Sequence, residues 1–140
     1  MVKFESLKSD ILHRIPAAAK VLEARTDVVL AYLFGGLAEG RVNPLSDVDI
    51  AVYLGDRTAG HMARLSLFDE LTDALGTSEL DLVILDTAPT SLAGRILSNR
   101  RVLVDKDPFF RQGYESRILR EYFDFQYIEN DFFTRRFGDG

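Results

Sequence analysis

Two aspartates, two positions apart, stand at the head of an apolar segment. Asp47 and Asp49 flank Val48 and lead into residues 50–54. Aspartate is depleted in strands, and the two-residue period of a strand places both carboxylates on one face. Neighbouring carboxylates repel each other, and a divalent cation removes that conflict. Mg²⁺ prefers oxygen ligands and completes its shell with water and phosphate oxygens, so the pattern indicates a substrate that carries phosphate.

A third carboxylate extends this pattern. Asp81 stands in another apolar segment, residues 80–85, and it reaches the same site if the two strands are neighbours. Glu79 lies two residues earlier on the same face and competes for that role. The alternative is structural: Asp47 caps the preceding turn, Asp49 points to solvent, and Asp81 is a surface residue at a strand edge.

A pair of glycines ends the apolar segment of residues 28–34. Gly35 and Gly36 carry no side chain, so their backbone N–H groups could approach a phosphate closely where a short helix begins. The alternative is an ordinary tight turn, which glycine also favours. Gly35 and Gly36 are therefore candidate phosphate-binding residues.

Hydrophobic periodicity and turn residues divide the chain into strands and helices. The predicted strands are residues 28–34, 47–54, 80–85 and 101–104, and the predicted helices are residues 4–25 with a break at Pro16, 37–41, 60–75, 89–97 and 107–125 or beyond. The first two strands should be antiparallel neighbours, because their connection is too short for a parallel crossover. A full helix between the second and third strands allows a parallel pair. We therefore predict a mixed β-sheet with flanking helices, in the α+β class.

The helix over residues 60–75 has a predicted buried face. Its members recur at helical spacing: Met62, Leu65, Phe68, Leu71 and Leu75. Gly76 follows as the predicted C-cap, because glycine accepts the left-handed conformation that ends many helices.

Length and composition limit the remaining possibilities. The chain has 140 residues, 46% of them hydrophobic, and no cysteine, which predicts one domain over residues 1–140 and excludes a disulfide scaffold. The sequence has no signal-peptide pattern and no run of about 20 apolar residues, so we expect a cytoplasmic protein without a membrane partner. The net charge of −5 makes a nucleic-acid partner unlikely in composition terms, because such proteins usually carry a basic surface.

The spacing of these motifs resembles a known family. Gly35-Gly36, ten residues and then Asp47-Val48-Asp49 is similar to the pattern of the polymerase-β-type nucleotidyltransferases: Gly-Ser, ten residues, Asp-x-Asp and a later third carboxylate. The flanking residues also match, with Tyr32-Leu33-Phe34 before the glycines and Ser46 before the aspartates. The minimal branch of MntA-type antitoxins is the nearest in appearance, and its similarity extends into residues 96–98 and 119–124.

The resemblance implies a polymerase-β palm-like nucleotidyltransferase fold. It also implies transfer of AMP from ATP to an acceptor hydroxyl by in-line displacement with two Mg²⁺ ions. Metal binding and catalysis would fall to Asp47, Asp49 and Asp81, and nucleotide binding to Gly35, Gly36 and Ser46. Within the metal set, Asp81 would hold the catalytic ion and help to deprotonate the acceptor.

Two positions depart from the family pattern. Gly36 stands where the family usually has serine, so a hydroxyl that contacts phosphate is missing. Glu39 stands where the family often has arginine, and Arg41 is close but shifted. Both changes remove favourable contacts to a triphosphate, whereas the metal ligands are intact. The resemblance therefore implies an active or weakened enzyme, with a binding protein that has lost catalysis as an alternative.

Three functions fit these observations. The first is an antitoxin that transfers AMP to a HEPN-type toxin, the second is a small-molecule nucleotidyltransferase such as an antibiotic-modifying enzyme, and the third is a non-catalytic module that covers its partner. The fourth predicted strand is followed by 36 residues, which is too few for a separate substrate domain. We therefore expect the acceptor to come from a partner protein.

The last predicted helix is unusually rich in aromatic residues. They are Tyr122, Phe123, Phe125, Tyr127, Phe132 and Phe133. Arginines lie around them, at positions 117, 120, 135 and 136. Aromatic anchors with an arginine rim are typical of protein interfaces, so we predict a partner surface here. The alternative is that these aromatics fold back and complete the core.

Overall fold

The computed structural model describes residues 10–42, 47–55 and 60–137. Its helices and strands are, in chain order, α1 (Ile11–Ala24), β1 (Leu30–Phe34), β2 (Val48–Tyr53), α2 (Gly60–Leu75), β3 (Leu80–Ile84), α3 (Thr90–Ser98), β4 (Arg100–Asp105) and α4 (Pro108–Phe137). Short 3-10 helices occupy Gly35–Glu39 and Leu85–Thr87. The elements confirm the predicted order, and Gly35 and Gly36 do open a short helix.

The four strands form one mixed sheet in the order β3-β2-β1-β4. β1 is antiparallel to β2 and to β4, and β2 is parallel to β3. These pairings confirm the α+β class and the predicted antiparallel pair of the first two strands, and they meet the condition that the second and third strands be neighbours. They place β2 and β3, the two strands that carry the candidate carboxylates, side by side at one edge of the sheet.

Helices cover both faces of the sheet. α1 and α2 pack on one face, where Leu33, Ile50 and Val52 are fully buried. α3 and α4 pack on the other face against Tyr32 and Ala51. Because successive strand residues point to opposite faces, the alternation predicted for β2 divides its side chains between these two cores. Asp49 has the same parity as Ala51 and therefore faces α3 and α4.

The predicted break at Pro16 is wrong. α1 runs without interruption from Ile11 to Ala24 and contains Pro16. Proline removes one helical hydrogen bond, but its fixed φ is compatible with a helix. The buried stripe of α1 continues on both sides of it, with Ile15 and Ala18 packed in the same core, and this packing outweighs the lost bond. The part of the predicted helix that precedes residue 10, including Phe4 and Leu7, lies outside the described residues.

The bounds predicted for α2 are confirmed, but its predicted buried face is partly wrong. The buried residues are Leu67, Leu71 and Leu75, whereas Met62 is 75% and Leu65 is 46% exposed. Apolar residues of α2 form two overlapping rows. The row with four-residue spacing, Leu67, Leu71 and Leu75, is the one that is buried in the core shared with α1. Gly76 ends the helix with φ 70°, and its N–H donates to the Thr72 carbonyl, as the predicted C-cap requires.

α4 is the longest helix and divides into two unlike halves. It begins as predicted, because the Asp107 carboxylate accepts a hydrogen bond from the Phe110 N–H at 3.0 Å. Its first half buries Tyr114 and Ile118 against the sheet. Its second half carries exposed aromatic residues and continues to Phe137. Among the residues that the structure describes, no helix is both long and apolar enough to cross a membrane.

Candidate active site

The register between β2 and β3 brings two of the predicted carboxylates together. Asp49 is the direct partner of Asp81, and the same register pairs Ile50 with Leu82. Paired residues on parallel strands point to the same face and lie one strand spacing apart, about 4.8 Å. Asp81 is exposed and Asp49 is half-buried. Because β2 and β3 are neighbours, both carboxylates lie at one edge of the sheet.

Asp47 and Glu79 lie one strand period before this pair. Asp47 is half-buried and directly precedes β2, while Glu79 directly precedes β3. The Val48 N–H donates to the Glu79 carbonyl at 2.9 Å, so the two chain segments are already joined there. Glu79 thus remains a competitor of Asp81. Ser46 and the turn expected before Asp47 lie outside the described residues.

The donor chemistry of these residues fits Mg²⁺. In the described part of the chain, no group of three or more His, Cys, Asp or Glu side chains is arranged to hold a metal ion as it stands. Mg²⁺, however, typically takes one or two carboxylates and completes its octahedron with water and substrate phosphates. Asp49 and Asp81, adjacent in register, supply such a pair of hard oxygen donors.

Gly35 lies directly against the carboxylate of Asp49. A Cβ built on Gly35 would overlap Oδ2 of Asp49 and lie 3.3 Å from its Cγ. Gly35 also has φ 72°, a left-handed conformation that other residues seldom adopt. Two separate reasons therefore require glycine at this position. The bare backbone of the 3-10 helix start is thereby brought to the acidic edge of the sheet.

Gly36 differs from Gly35 in both respects. Its φ is outside the left-handed region, and the nearest atom to an added Cβ would be the Arg41 carbonyl oxygen at 3.8 Å. A serine therefore fits at Gly36 without strain. At Glu39, the second departure from the family pattern, the negative charge is paired, because the Glu39 carboxylate forms an ion pair with Arg41.

A cavity of about 240 Å³ adjoins Asp49 and Gly35. Its remaining walls are Phe34 and four residues of α3 and its C-cap: Leu92, Arg95, Ile96 and Asn99. Neither Arg95 nor Asn99 is among the predicted site residues, and Asn99 lies beyond the helix predicted over residues 89–97. A larger cavity, of about 630 Å³, lies at the other end of β2 beside Tyr53 and contains none of the candidate carboxylates.

A buried polar network holds α4 to the same face of the sheet. Glu115, 7% exposed, accepts hydrogen bonds from the Tyr32 hydroxyl at 2.7 Å, from Arg100 at 3.0 Å and from Arg111 at 3.0 Å. Arg111 also bonds the Asp105 carboxylate at 2.6 Å. The network joins β1, β4 and α4 over a long sequence distance, and charge-assisted bonds of this kind are the strong ones.

The network determines the ionisation of its members. Burial by itself would raise the pKa of Glu115, but the hydrogen bonds from Arg100 and Tyr32 and the charges of Arg100 and Arg111 hold that pKa below its usual value. Burial, reinforced by the hydrogen bond to Glu115, raises the pKa of Tyr32. Glu115 is therefore ionised and Tyr32 is neutral at neutral pH.

Comparison with known proteins supplies the family. Residues 17–109 match the model of the polymerase beta nucleotidyltransferase domain. The chain is 39% identical to the protein adenylyltransferase MntA of Shewanella oneidensis over 74 residues, which cover 53% of this chain and 52% of that protein. The chain thus spans about half the length of that curated relative.

Solved structures share the fold. One is the crystal structure of a toxin-antitoxin pair with AMP-PNP, with a TM-score of 0.70 and 25% identity, covering 86% of this chain and 96% of that chain. Another is a tri-AMPylated Shewanella oneidensis HEPN toxin in complex with MNT antitoxin, with a TM-score of 0.66 and 23% identity, covering 89% and 97%. The match of residues 17–109 to the family model, which covers more than half of the chain, shows that the chain belongs to the polymerase beta nucleotidyltransferase family.

Proposed function

We propose that this protein transfers AMP from ATP to a hydroxyl group of a partner protein, as an antitoxin acting in the cytoplasm on a HEPN-type toxin. The observation that carries the proposal is the pairing of Asp49 with Asp81 on adjoining strands, beside the backbone of Gly35. Support also comes from the similarity to a protein adenylyltransferase and to toxin-antitoxin structures with AMP-PNP or an AMPylated toxin.

The proposed reaction is a displacement at the α-phosphorus of ATP. The acceptor oxygen forms a bond to that phosphorus, the bond from phosphorus to the β-phosphate oxygen breaks, and pyrophosphate leaves. Asp47, Asp49 and Asp81 would hold two Mg²⁺ ions, which supply Lewis-acid stabilisation of the phosphate oxygens when bound. Asp81, the exposed member of the pair, is also proposed to accept the proton that the acceptor hydroxyl loses.

The glycine turn is proposed to receive the β- and γ-phosphates. The backbone of Gly35 lies against Asp49, so N–H donors and carboxylate ligands occur within one small region. Backbone N–H groups at the start of a helix favour anions. Gly36 and Ser46 are proposed to complete the nucleotide-binding set. The ion pair between Glu39 and Arg41 limits the repulsion that Glu39 would otherwise exert on the phosphates.

The partner is proposed to dock on the second half of α4. Phe123, Phe125, Tyr127 and Ile128 are all more than half exposed and are here called the tail surface. The exposure of Phe123, Phe125 and Tyr127 is contrary to the alternative in which the aromatics complete the core, whereas Tyr122 is half-buried. Phe123 and Tyr127 lie on one face of α4, and Phe125 and Ile128 lie on another. Exposed aromatic residues with Arg117 and Arg120 exposed nearby have the composition of an interface core with a charged rim.

Mass spectrometry of the partner tests the transfer. The toxin whose gene neighbours that of this chain would be incubated with ATP, Mg²⁺ and this protein, and the expected product is toxin that carries added AMP. The Asp47→Asn, Asp49→Asn double variant is the control, and it should lose both transfer and Mg²⁺-dependent ATP binding by calorimetry. Metal-dependent ATP binding that survives in the double variant would exclude this site.

A non-catalytic antitoxin is the second candidate, and the missing serine at Gly36 favours it. In that case the chain would bind and neutralise the toxin while the toxin mass stays unchanged. A small-molecule nucleotidyltransferase would bind ATP but neither bind nor modify the toxin. The same incubation, combined with a pull-down, therefore separates all three functions.

The tail surface has its own test. Phe125→Ala and Tyr127→Ala should reduce toxin capture in a pull-down while ATP binding is kept. Phe109→Ala is the matched control, because Phe109 is 89% exposed at the opposite end of the same helix. Equal loss in all three variants would mean that the effect is not specific to the tail surface.

A further inference from the structure

α3 supplies a cationic wall to the cavity beside Asp49. Leu92, Arg95, Ile96 and Asn99 line it, and their spacing of three, four and seven residues places them on one helix face. Ile96 is buried and Leu92 is half-buried, so this face is anchored against the sheet. Arg95 stands between these two anchors and is directed to the cavity that it shares with Gly35 and Asp49.

In the described part of the chain, Arg95 has no polar partner, unlike Arg100 and Arg111 on the same face of the sheet. Within residues 10–42, 47–55 and 60–137, it makes no hydrogen bond and no ion pair. Arg100 and Arg111, by contrast, are both bonded to Glu115. Arg95 is also exposed, so its guanidinium is available to a ligand that enters the cavity.

We propose that Arg95 binds the β- and γ-phosphates of the nucleotide and so supplies the positive charge that Glu39 does not. The inference rests on the proposed nucleotidyl transfer. A guanidinium presents a planar set of N–H donors that matches phosphate oxygens in pairs. Its place next to Gly35, rather than beyond Asp81, assigns it to the end of the nucleotide that leaves as pyrophosphate.

The positive charge of Arg95 would assist the proposed reaction. As the bond between the α-phosphorus and the β-phosphate oxygen breaks, negative charge accumulates on the departing pyrophosphate. A guanidinium at that position would stabilise this charge, and it would also attract the β- and γ-phosphates of bound ATP. Arg95 would therefore strengthen binding of ATP, and it would have little effect on a nucleotide that lacks the β- and γ-phosphates.

Asn99 holds the two walls of the cavity together. Its side-chain amide donates to the Glu39 carboxylate at 3.1 Å and to the Gly35 carbonyl at 3.5 Å. Through these contacts the C-terminal end of α3 is tied to the glycine turn. Asn99 is thus a positioning residue, because it fixes the distance between Arg95 and the backbone that is proposed to receive the phosphates.

Calorimetry with Mg²⁺-ATP and with Mg²⁺-AMP tests the assignment. Arg95→Ala should weaken ATP binding about 10- to 100-fold, as expected for a charged hydrogen bond, and change AMP binding little. Arg95→Lys should recover part of the loss, because it restores the charge without the paired donors. Lys20→Ala is the matched control: it removes one positive charge from an exposed position on α1, on the opposite side of the sheet.

The outcomes distinguish a failure of the role of Arg95 from a failure of the proposed nucleotidyl transfer. ATP binding that is unchanged in Arg95→Ala would overturn the role of Arg95 while leaving nucleotidyl transfer intact. Equal weakening of ATP and AMP would also overturn it, since Arg95 would then not act on the β- and γ-phosphates. A wild-type protein that binds no Mg²⁺-ATP would overturn the proposed function itself.

Discussion

Two acidic regions lie on the same face of the sheet, under the same pair of helices. In one, Glu115 is buried and accepts hydrogen bonds from Tyr32, Arg100 and Arg111. In the other, the carboxylates of Asp49 and Asp81 are neighbours across two strands. In the described residues, Asp81 makes no hydrogen bond or ion pair, and it is exposed.

The difference between the two regions separates stability from function. A buried carboxylate must be matched by donors within the protein, because an unmatched charge in the interior is very costly. An exposed carboxylate such as that of Asp81 remains accessible to a cation and a phosphate from solution. The Glu115 region is therefore expected to respond to substitution through folding, and the Asp81 region through catalysis.

The largest expected effect is on turnover. Asp81→Asn should lower the rate of AMP transfer by about 10³-fold, within the range for loss of a general base, while ATP affinity and the unfolding midpoint change little. Rates are measured by mass spectrometry of the toxin over time. Glu79→Gln is the control. If Glu79→Gln abolishes transfer and Asp81→Asn does not, the third carboxylate is Glu79.

The next effect is on folding. Glu115→Ala should lower the free energy of unfolding by about 3–5 kcal/mol, because it leaves two arginines and a tyrosine without their buried partner. Urea denaturation measures it. Glu121→Ala is the matched control on the same helix, where Glu121 forms an exposed ion pair with Arg117, and it should cost less than about 0.5 kcal/mol. Similar losses in both variants would contradict the contrast between buried and exposed pairs.

Acid should remove part of the same stabilisation. The pKa of Glu115 is lowered in the folded protein, so its contribution is fully present above the pKa of an unfolded glutamate, about 4.3. It is lost as the pH falls through the lower folded pKa. The stability advantage of the wild type over Glu115→Gln should therefore shrink below about pH 4. If the stability advantage of the wild type instead grows as the pH falls, the pKa of Glu115 is not lowered by folding.

Sequence patterns predicted the parts of the molecule that depend on local periodicity. The bounds of α2 and the antiparallel pairing of β1 with β2 were predicted from the sequence, which also allowed the parallel pairing of β2 with β3 and a short helix that begins at the glycines. The break expected at Pro16 and the outer part of the α2 stripe were wrong, because tertiary packing overrides local preference. The prediction of Asp47, Asp49 and Asp81 as a metal site remains a proposal.

The missed residues depend on contacts between distant segments. Glu115 meets Tyr32 across 83 positions, and no local pattern marks either of them as partners. In the sequence, Arg95 has no feature that distinguishes it from other surface arginines on helices. Only the folded structure shows that it lines the same cavity as Gly35 and Asp49. Site residues on a single strand can be predicted from the two-residue period of that strand. Site residues from different elements can be identified only when the packing of those elements is known.

A smaller effect is expected at the glycine turn. Gly36→Ser should keep the stability of the protein, because φ at this position is not left-handed and an added Cβ meets only the Arg41 carbonyl at 3.8 Å. It should raise transfer, with an upper limit of about 1.5–3 kcal/mol for one charge-assisted hydrogen bond to phosphate. Gly35→Ser is the contrast and should destabilise the fold. A folded Gly36→Ser variant with reduced transfer would show that this chain binds phosphate differently.

The smallest expected effect compares two buried tyrosines on the same sheet face. The Tyr32 hydroxyl donates to Glu115 at 2.7 Å, whereas the buried Tyr114 hydroxyl has no hydrogen-bond partner in the described structure, and burial raises its pKa to about 12. Tyr32→Phe should cost about 1.5 kcal/mol, since a charged acceptor loses a donor. Tyr114→Phe should be neutral or slightly stabilising, because it removes a hydroxyl that is desolvated without compensation. Urea denaturation of both variants at pH 7 measures the difference, and equal costs would mean that the Glu115 network does not use the Tyr32 hydroxyl.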